Sequence, residues 1–302
     1  MRLELPESFP FAHVLRGHRF GPGDPSTLCR NDLFEKALWT PQGPALLRLA
    51  FGSGVVQAEA HGEGGPGLLP WVPALLGAQD DPGDFHPGPL ADRYRGWRDF
   101  CLSRAPWLAQ TLVKVVLQQR VSWRDASRAY AGLVHRHGGP APGSSQVLLP
   151  PSFRTMHRLG AGEFGAVGVE NKRAATLREV AWRASRLDRL TQGEEVAAAL
   201  DAIPGVGVWT REYTLGFALG WPDVVPLGDY DLPNSVAFAL AAEARADDAR
   251  MLELLEPYRG HRFRLLRLLV LAGISAPRRG PRMASSQALG QEGRRKRRTS
   301  SR

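Results

Sequence analysis

Cysteine is scarce: the 302-residue chain has two, Cys29 and Cys101. They lie far apart, in different predicted segments, and read as two free buried thiols rather than a disulfide. Two thiolates cannot supply the four-cysteine ligand set of an iron–sulfur cluster. The eight histidines form no recognisable metal set. His135 and His137 are two residues apart, with no carboxylate or thiol suitably spaced from them, so no metal centre is expected. No apolar run reaches the ~20 residues a membrane helix needs. The first residues, Met1-Arg2-Leu3-Glu4-Leu5-Pro6, lack the apolar core of a signal peptide. A cytosolic, nucleoid-associated protein of bacterial type is expected, with no membrane contact. The sequence has no internal repeat and gives no sign of oligomerisation, so a monomer is expected.

What is present is an ordinary globular composition, 43% hydrophobic and 23% charged, long enough for one large or two ordinary domains. The net charge of +9 suggests nucleic acid, but its location matters. Residues 277–302 hold nine Arg/Lys against the single acid Glu292, a net of +8. The other 276 residues carry 30 basic and 29 acidic side chains. The high isoelectric point therefore describes a tail, and only a local patch could hold DNA on the body.

The predicted architecture is α+β: an N-terminal antiparallel α+β domain over residues 1–85, then an all-α domain over 90–275. Short extended runs at 36–39, 45–50 and 55–60 are punctuated by Pro41-Gln42-Gly43 and Gly52-Ser53-Gly54, the pattern of a meander packed by a helix or two. Residues 79–89 are acidic and rich in Pro and Gly, and read as an interdomain linker. Beyond residue 90 the period becomes helical. Residues 109–118 are apolar with a helical repeat, and Ser122-Trp123-Arg124-Asp125 has the form of a capping box opening a helix that buries Ala126, Tyr130, Leu133 and Val134. The stretch 172–190 is amphipathic, with Ala175, Val180, Ala184 and Leu187 assigned to one face. Further helices are expected over 194–202, 208–219, 232–241, 247–255 and 261–272. The Arg/Ser/Gly/Gln-rich tail, 277–302, is expected to be disordered.

Two segments carry chemistry. In Leu200-Asp201-Ala202-Ile203-Pro204-Gly205-Val206-Gly207-Val208-Trp209-Thr210 a helix ends near Ala202, Pro204 stops it, and Gly205 and Gly207 permit a tight hairpin with positive φ. Ile203 and Val206 would anchor that hairpin in the core. The helix that begins near Val208 presents amides with no intrahelical acceptor, a favourable place for an anion such as a DNA phosphate. The bland alternative is a helix–turn–helix corner with two glycines. The second segment is Pro226-Leu227-Gly228-Asp229-Tyr230-Asp231-Leu232-Pro233. Its Asp229 lies 22 residues beyond Gly207, at the start of the next predicted helix and among Val224, Val225 and Leu227. It reads either as a plain N-cap or as a partly buried carboxylate facing a substrate.

Together these segments resemble the helix-hairpin-helix DNA glycosylase superfamily, and within it the 3-methyladenine DNA glycosylase II group of alkylation repair. That group has a hairpin of the form Leu-x-x-Ile/Phe-Pro-Gly-Val/Ile-Gly-x-Trp-Thr, a helix, and a catalytic Asp about twenty residues on. Leu117-Gln118-Gln119-Arg120-Val121-Ser122 is similar to the group's Gln-x-Val-Ser segment, where the wedge residue sits. Gly168-Val169-Glu170-Asn171-Lys172-Arg173-Ala174 is similar to the stretch before its lesion-probing helices. The resemblance covers residues 1–275. It implies a catalytic role for Asp229, a base pocket lined by Trp209 and Tyr213, and a phosphate grip made by Gly205, Val206, Gly207 and Thr210. Core packing is the competing role for Trp209 and Tyr213. The resemblance also implies a monovalent cation on the carbonyls of Ile203 and Val206, no other cofactor, and duplex DNA with damaged bases as partner.

The chain departs from the group in three places. Relatives that also cut the backbone carry an amine nucleophile as Lys at the position held here by Trp209. The chain has only Lys36, Lys114, Lys172 and Lys296, none in the motif, which argues against a Schiff-base step. Arg120 stands where the wedge is apolar in the group; it either fills the hole left by a flipped base or is a solvated helix-end residue. Arg267 stands where a pocket Trp is expected in the last helix. The expected function is a monofunctional glycosylase that flips out and excises alkylated purines. A non-catalytic DNA-binding hairpin, or a glycosylase for oxidised or deaminated bases, are the alternatives.

Overall fold

A computed structural model describes residues 1–190 and 193–277. The tail beyond Pro277 lies outside the described residues, so the disorder expected for it has no structural counterpart here.

The N-terminal sheet is built from β1 (Arg2–Glu4), β2 (Thr27–Cys29), β3 (Leu33–Thr40), β4 (Gly43–Gly52) and β5 (Val55–His61), with α1 (Phe11–Leu15) between the first two strands. The order is β1-β5-β4-β3-β2 and every pairing is antiparallel. The three predicted strands are there, each a little longer than its apolar run. The outer strands β1 and β2 were not anticipated. Side chains alternate across β4: Ala45, Leu47 and Leu49 pack with α1, α2 (Val72–Leu75) and Trp107, while Leu46 faces Val147 and Leu149. Those two residues flank or belong to a second small sheet of β6 (Gly139–Pro140) and β7 (Leu148–Leu149). Both faces of the sheet are thus covered.

The helical part comprises α3 (Leu108–Gln118), α4 (Trp123–His137), α5 (Phe153–Arg158), α6 (Ala161–Gly165), α7 (Asn171–Leu187), α8 (Gly193–Asp201), α9 (Val208–Leu219), α10 (Leu232–Ala241), α11 (Asp248–Leu255) and α12 (Arg262–Leu271). Among the described residues none of these is long and apolar enough to cross a membrane. α3 is buried along most of its length and forms the centre against which α4, α7 and α9 pack. Ser122 caps α4 by accepting from the Asp125 amide at 3.1 Å. Asp125 completes the box differently from the usual pattern, taking the Ser122 hydroxyl rather than its amide. Ala126, Tyr130, Leu133 and Val134 are buried as expected. On α7 the buried face is Ala174, Leu177, Val180, Ala184 and Leu187, whereas Ala175 is exposed. The correction follows from geometry: five residues advance a helix by about 500°, so Ala175 and Val180 cannot share a face.

The acidic stretch 79–89 is pinned to the last helix. Asp80 takes two bonds of 2.6 Å from Arg264, and both side chains are nearly inaccessible. Asp80 also accepts from the Leu102 amide at 2.7 Å. The helices are tied to the region beside the sheet by Lys114, which donates to Asp24 at 2.9 Å and to the His18 carbonyl at 3.0 Å. Lys114 and neighbouring Lys36 hold the Asp24 carboxyl down at about 2 against the opposing effect of burial. Cys29 and Cys101 are both half-buried, free thiols.

Candidate active site

The hairpin between α8 and α9 is closed by the Val206 amide, which donates to the Ile203 carbonyl at 3.0 Å. Ile203 is sunk in the core and Val206 packs against its edge. Gly205 has φ +88°, and a Cβ there would fall 2.1 Å from the Thr176 hydroxyl of α7. Both facts require glycine. Gly207 differs from expectation. Its φ is −109°, extended backbone open to any residue, and a Cβ would meet nothing within 4 Å. The missing side chain instead leaves the surface in front of α9 unobstructed. The amides of Gly207, Val208 and Trp209 have no acceptor among the described residues, so the helix end presents donors and a positive dipole to whatever approaches.

Gln119 is a residue that the motif comparison left without a role. Its Nε2 donates to the Gly205 carbonyl and to the Thr210 hydroxyl, both at 2.9 Å. It therefore clamps the hairpin to the α3–α4 corner from behind. Thr210 is 2% exposed, so it serves this internal clamp. The next residue, Arg120, has φ +57° and is exposed, with no hydrogen bond or ion pair among the described residues. A non-glycine residue in the left-handed region is held there by its surroundings. Here they are the Gln119 clamp on one side and the Ser122 cap on the other. Arg211 locks the α8–α9 corner through Asp201 and Glu212.

Asp229 precedes α10. Its Oδ1 accepts from the amides of Asp231 at 3.0 Å and Leu232 at 2.9 Å. Its Oδ2 accepts from Trp209 Nε1 at 2.8 Å and from the Tyr213 hydroxyl at 3.2 Å. The N-cap position of α10 is held by Asp231; Asp229 stands two residues before it, its Oδ1 satisfying amides at the helix start while its Oδ2 takes the two aromatic donors. Trp209, Tyr213 and Phe217 stand four residues apart on α9 and form one row. Trp209 meets Tyr213 edge to face at 4.9 Å, and Tyr213 stacks on Phe217 at 5.8 Å with 16° between planes. Trp209 and Tyr213 remain partly accessible. Burial, then the Asp229 charge, hold the Tyr213 phenol well above its usual range, so it stays a donor at neutral pH.

Beyond Phe217 the row ends on Arg267, whose guanidinium carbon lies 4.7 Å from the Phe217 ring centre. The helical spacing from Trp209 could have disclosed Phe217; nothing in the sequence showed where Arg267 would point. Among the described residues no lysine joins the site: Lys36 and Lys114 are buried beside the sheet, and Lys172 is exposed on the first turn of α7; Lys296 is outside the described residues. Among the described residues no group of three or more His, Cys, Asp or Glu is placed to hold a metal ion.

No protein-family model matches the chain. Over 143 residues, 46% of its length, the chain is 30% identical to the probable bifunctional transcriptional activator/DNA repair enzyme AlkA of Mycobacterium tuberculosis, and the match spans only 29% of that relative. Among solved structures, the 3-methyladenine DNA-glycosylase from Archaeoglobus fulgidus matches 90% of this chain and 98% of its own, with TM-score 0.72 and 19% identity. The Clostridium acetobutylicum 8-oxoguanine glycosylase/lyase, solved with duplex DNA, matches 89% of this chain and 96% of its own, with TM-score 0.61 and 12% identity. The N-terminal sheet, the helical part and the order in which they follow one another are those of the helix-hairpin-helix DNA glycosylase fold.

Proposed function

We propose that the protein is a monofunctional DNA N-glycosylase that excises alkylated purines from duplex DNA. One observation carries the reading: a carboxylate fixed through both oxygens stands against two partly accessible aromatic rings, one turn of helix from a hairpin with unpaired amides. The indole and phenol donors hold the second carboxylate oxygen at the edge of the row of rings.

The hairpin grips a backbone phosphate through the amides of Gly207, Val208 and Trp209. The carbonyls of Ile203 and Val206 are suited to a monovalent cation, since the first accepts one bond and the second none among the described residues. Such an ion would add positive charge beside the phosphate. Arg120 fills the space vacated when the nucleotide leaves the stack, and the flipped base lies against Trp209 and Tyr213. An alkylated purine is electron-poor and a good leaving group, so no general acid is needed. Asp229 stabilises the positive charge that develops on the sugar and orients the attacking water. Since no lysine among the described residues stands at the site, the product is an abasic site with an intact backbone.

The test is base release from duplex DNA randomly methylated at purines, by the wild type and by Asp229→Asn. Release by the wild type alone supports the reading. A wild type that binds DNA but releases no base, modified or not, leaves a DNA-binding hairpin protein in its place.

A further inference from the structure

Away from the hairpin, the outer face of α5 and α7 has features that the proposed reaction does not use. Trp182 is the most exposed tryptophan among the described residues, at 71%, on a water-facing helix position that a polar side chain normally holds. Its indole lies against the His157 imidazole, with ring centres 5.3 Å apart and 34° between planes. The imidazole is fixed in place: its Nδ1 donates to the Arg178 carbonyl at 3.1 Å, and Arg178 Nε donates to the His157 carbonyl at 3.0 Å. That reciprocal staple joins α5 to α7 and sets the two rings as one platform.

Positive charge is concentrated around the platform. Together, α5 and α7 carry seven arginines and lysines against one acid, Glu179, whereas the chain before residue 277 as a whole is balanced, with 30 basic and 29 acidic side chains. Three of the seven are engaged: Arg173 on the carbonyls of Leu117 and Gly168, Arg178 in the staple, and Arg183 on Glu179. Arg154, Arg158 and Arg186 are exposed and have no hydrogen bond or ion pair among the described residues. Arg186 is one turn beyond Trp182 on the same stripe of α7, and Arg154 and Arg158 stand on either side of His157 in α5.

We propose that this face is a second nucleic-acid site that takes unpaired single-stranded DNA, one base stacking on Trp182 and the phosphates beside it lying against Arg154, Arg158 and Arg186. The exposed ring decides between single strand and duplex. In a duplex each base covers its neighbour's face, and an indole on the protein surface has nothing to stack on; an unpaired base offers its faces freely. Ring and guanidinium groups together hold such a strand without regard to its sequence. The platform is separate from the hairpin. Gly205 packs against Thr176, whereas Trp182 lies ~9 Å further along α7 and roughly 120° around its axis. The site therefore uses neither Asp229 nor the hairpin amides. Only the choice of DNA among polyanions rests on the function proposed above, since the unpaired strand nearest to such an enzyme is one leaving its own duplex.

The experiment measures, by fluorescence anisotropy, the binding of a short oligothymidylate and of an unmodified duplex to the full chain, as wild type, Trp182→Ala, Trp182→Phe and the double variant Arg154→Gln/Arg186→Gln. Trp182→Ala should weaken oligothymidylate binding about tenfold and leave duplex affinity within about twofold, the size of change expected when no stacking contact is lost. Trp182→Phe keeps a ring and should recover most of the loss. The double arginine variant should flatten the slope of log affinity against log salt for the single strand by roughly 1.4. Thermal melting confirms that each variant is folded. Unchanged oligothymidylate affinity in Trp182→Ala overturns the proposal, and so does an equal loss on single strand and duplex. A poly-glutamate peptide that binds the wild type as tightly as oligothymidylate, and loses that binding in Trp182→Ala, would assign the face to an acidic protein instead. Single-strand binding that depends on Trp182, in a wild type that releases no base from modified duplex, would sink the glycosylase reading and leave this site standing.

Discussion

Replacing Asp229 by Asn removes one charge while keeping the shape, and the hydrogen bonds around it let the consequences be worked out separately. The amide oxygen of Asn can still accept from the Asp231 and Leu232 amides, so the start of α10 stays capped. The amide nitrogen then faces Trp209 Nε1 and the Tyr213 hydroxyl. The phenol can turn and accept, but the indole N–H loses its acceptor. That costs about 1 kcal/mol of stability, a shift of a few degrees in Tm. The chemical step loses far more. A unit charge ~4 Å from the developing positive charge on the sugar is worth about 4 kcal/mol at an effective dielectric of ~20, or roughly a thousandfold in rate. Duplex affinity should be unchanged or slightly higher, because a negative charge is taken away from beside the DNA. The assay is single-turnover base release from modified duplex at saturating enzyme, with anisotropy for binding and a thermal melt for folding. An Asn variant within tenfold of the wild-type rate would refute the electrostatic role.

Three further outcomes follow from the same structure. Gln119→Ala removes both bonds that hold the hairpin from behind, so affinity for every duplex should fall about tenfold by anisotropy with the saturated single-turnover rate little changed; an unaltered affinity would mean the clamp does not matter. Arg264→Met strands the buried Asp80 carboxylate and should lower unfolding stability by about 3 kcal/mol in urea titration; an unchanged midpoint would show that the pair contributes nothing. Asp188 is partly buried where it accepts from the Ala109 amide at the start of α3, and desolvation pushes its carboxyl up to about 7. Its folded pKa is raised above the unfolded value of 3.8, so the folded state binds more protons and this group's contribution to stability declines as pH rises from about 4 to about 7. Asp188→Asn should therefore gain stability over the wild type at pH 8, by up to about 4 kcal/mol, and lose that advantage near pH 4. Equal gains at both pH values would contradict the linkage.

What the sequence disclosed divides by the range of the interaction. The strands β3, β4 and β5 and the limits of α9 and α10 rest on local periodicity and on the Pro/Gly signals beside them, and these were legible. β1 and β2 are three residues each and exist because Leu3 finds Val56 and Leu28 finds Glu35 across the sheet; a run that short has no period to detect. The stretch 79–89 has a linker's composition, yet Asp80 meets an arginine 184 positions away. The three arginines of α12 look alike in sequence, and which of them lacks an acid depends on Asp223 and Asp80 arriving from elsewhere. Asp229 is the case where pattern and structure ask different questions. From the sequence it had to be a helix cap or a reactive acid. A carboxylate has two oxygens, and here the backbone amides that fix Oδ1 are what aim Oδ2 at Trp209 and Tyr213. The amides at the start of α10 orient the acid, so its bonds to the helix start do not argue against the reactive role proposed for it.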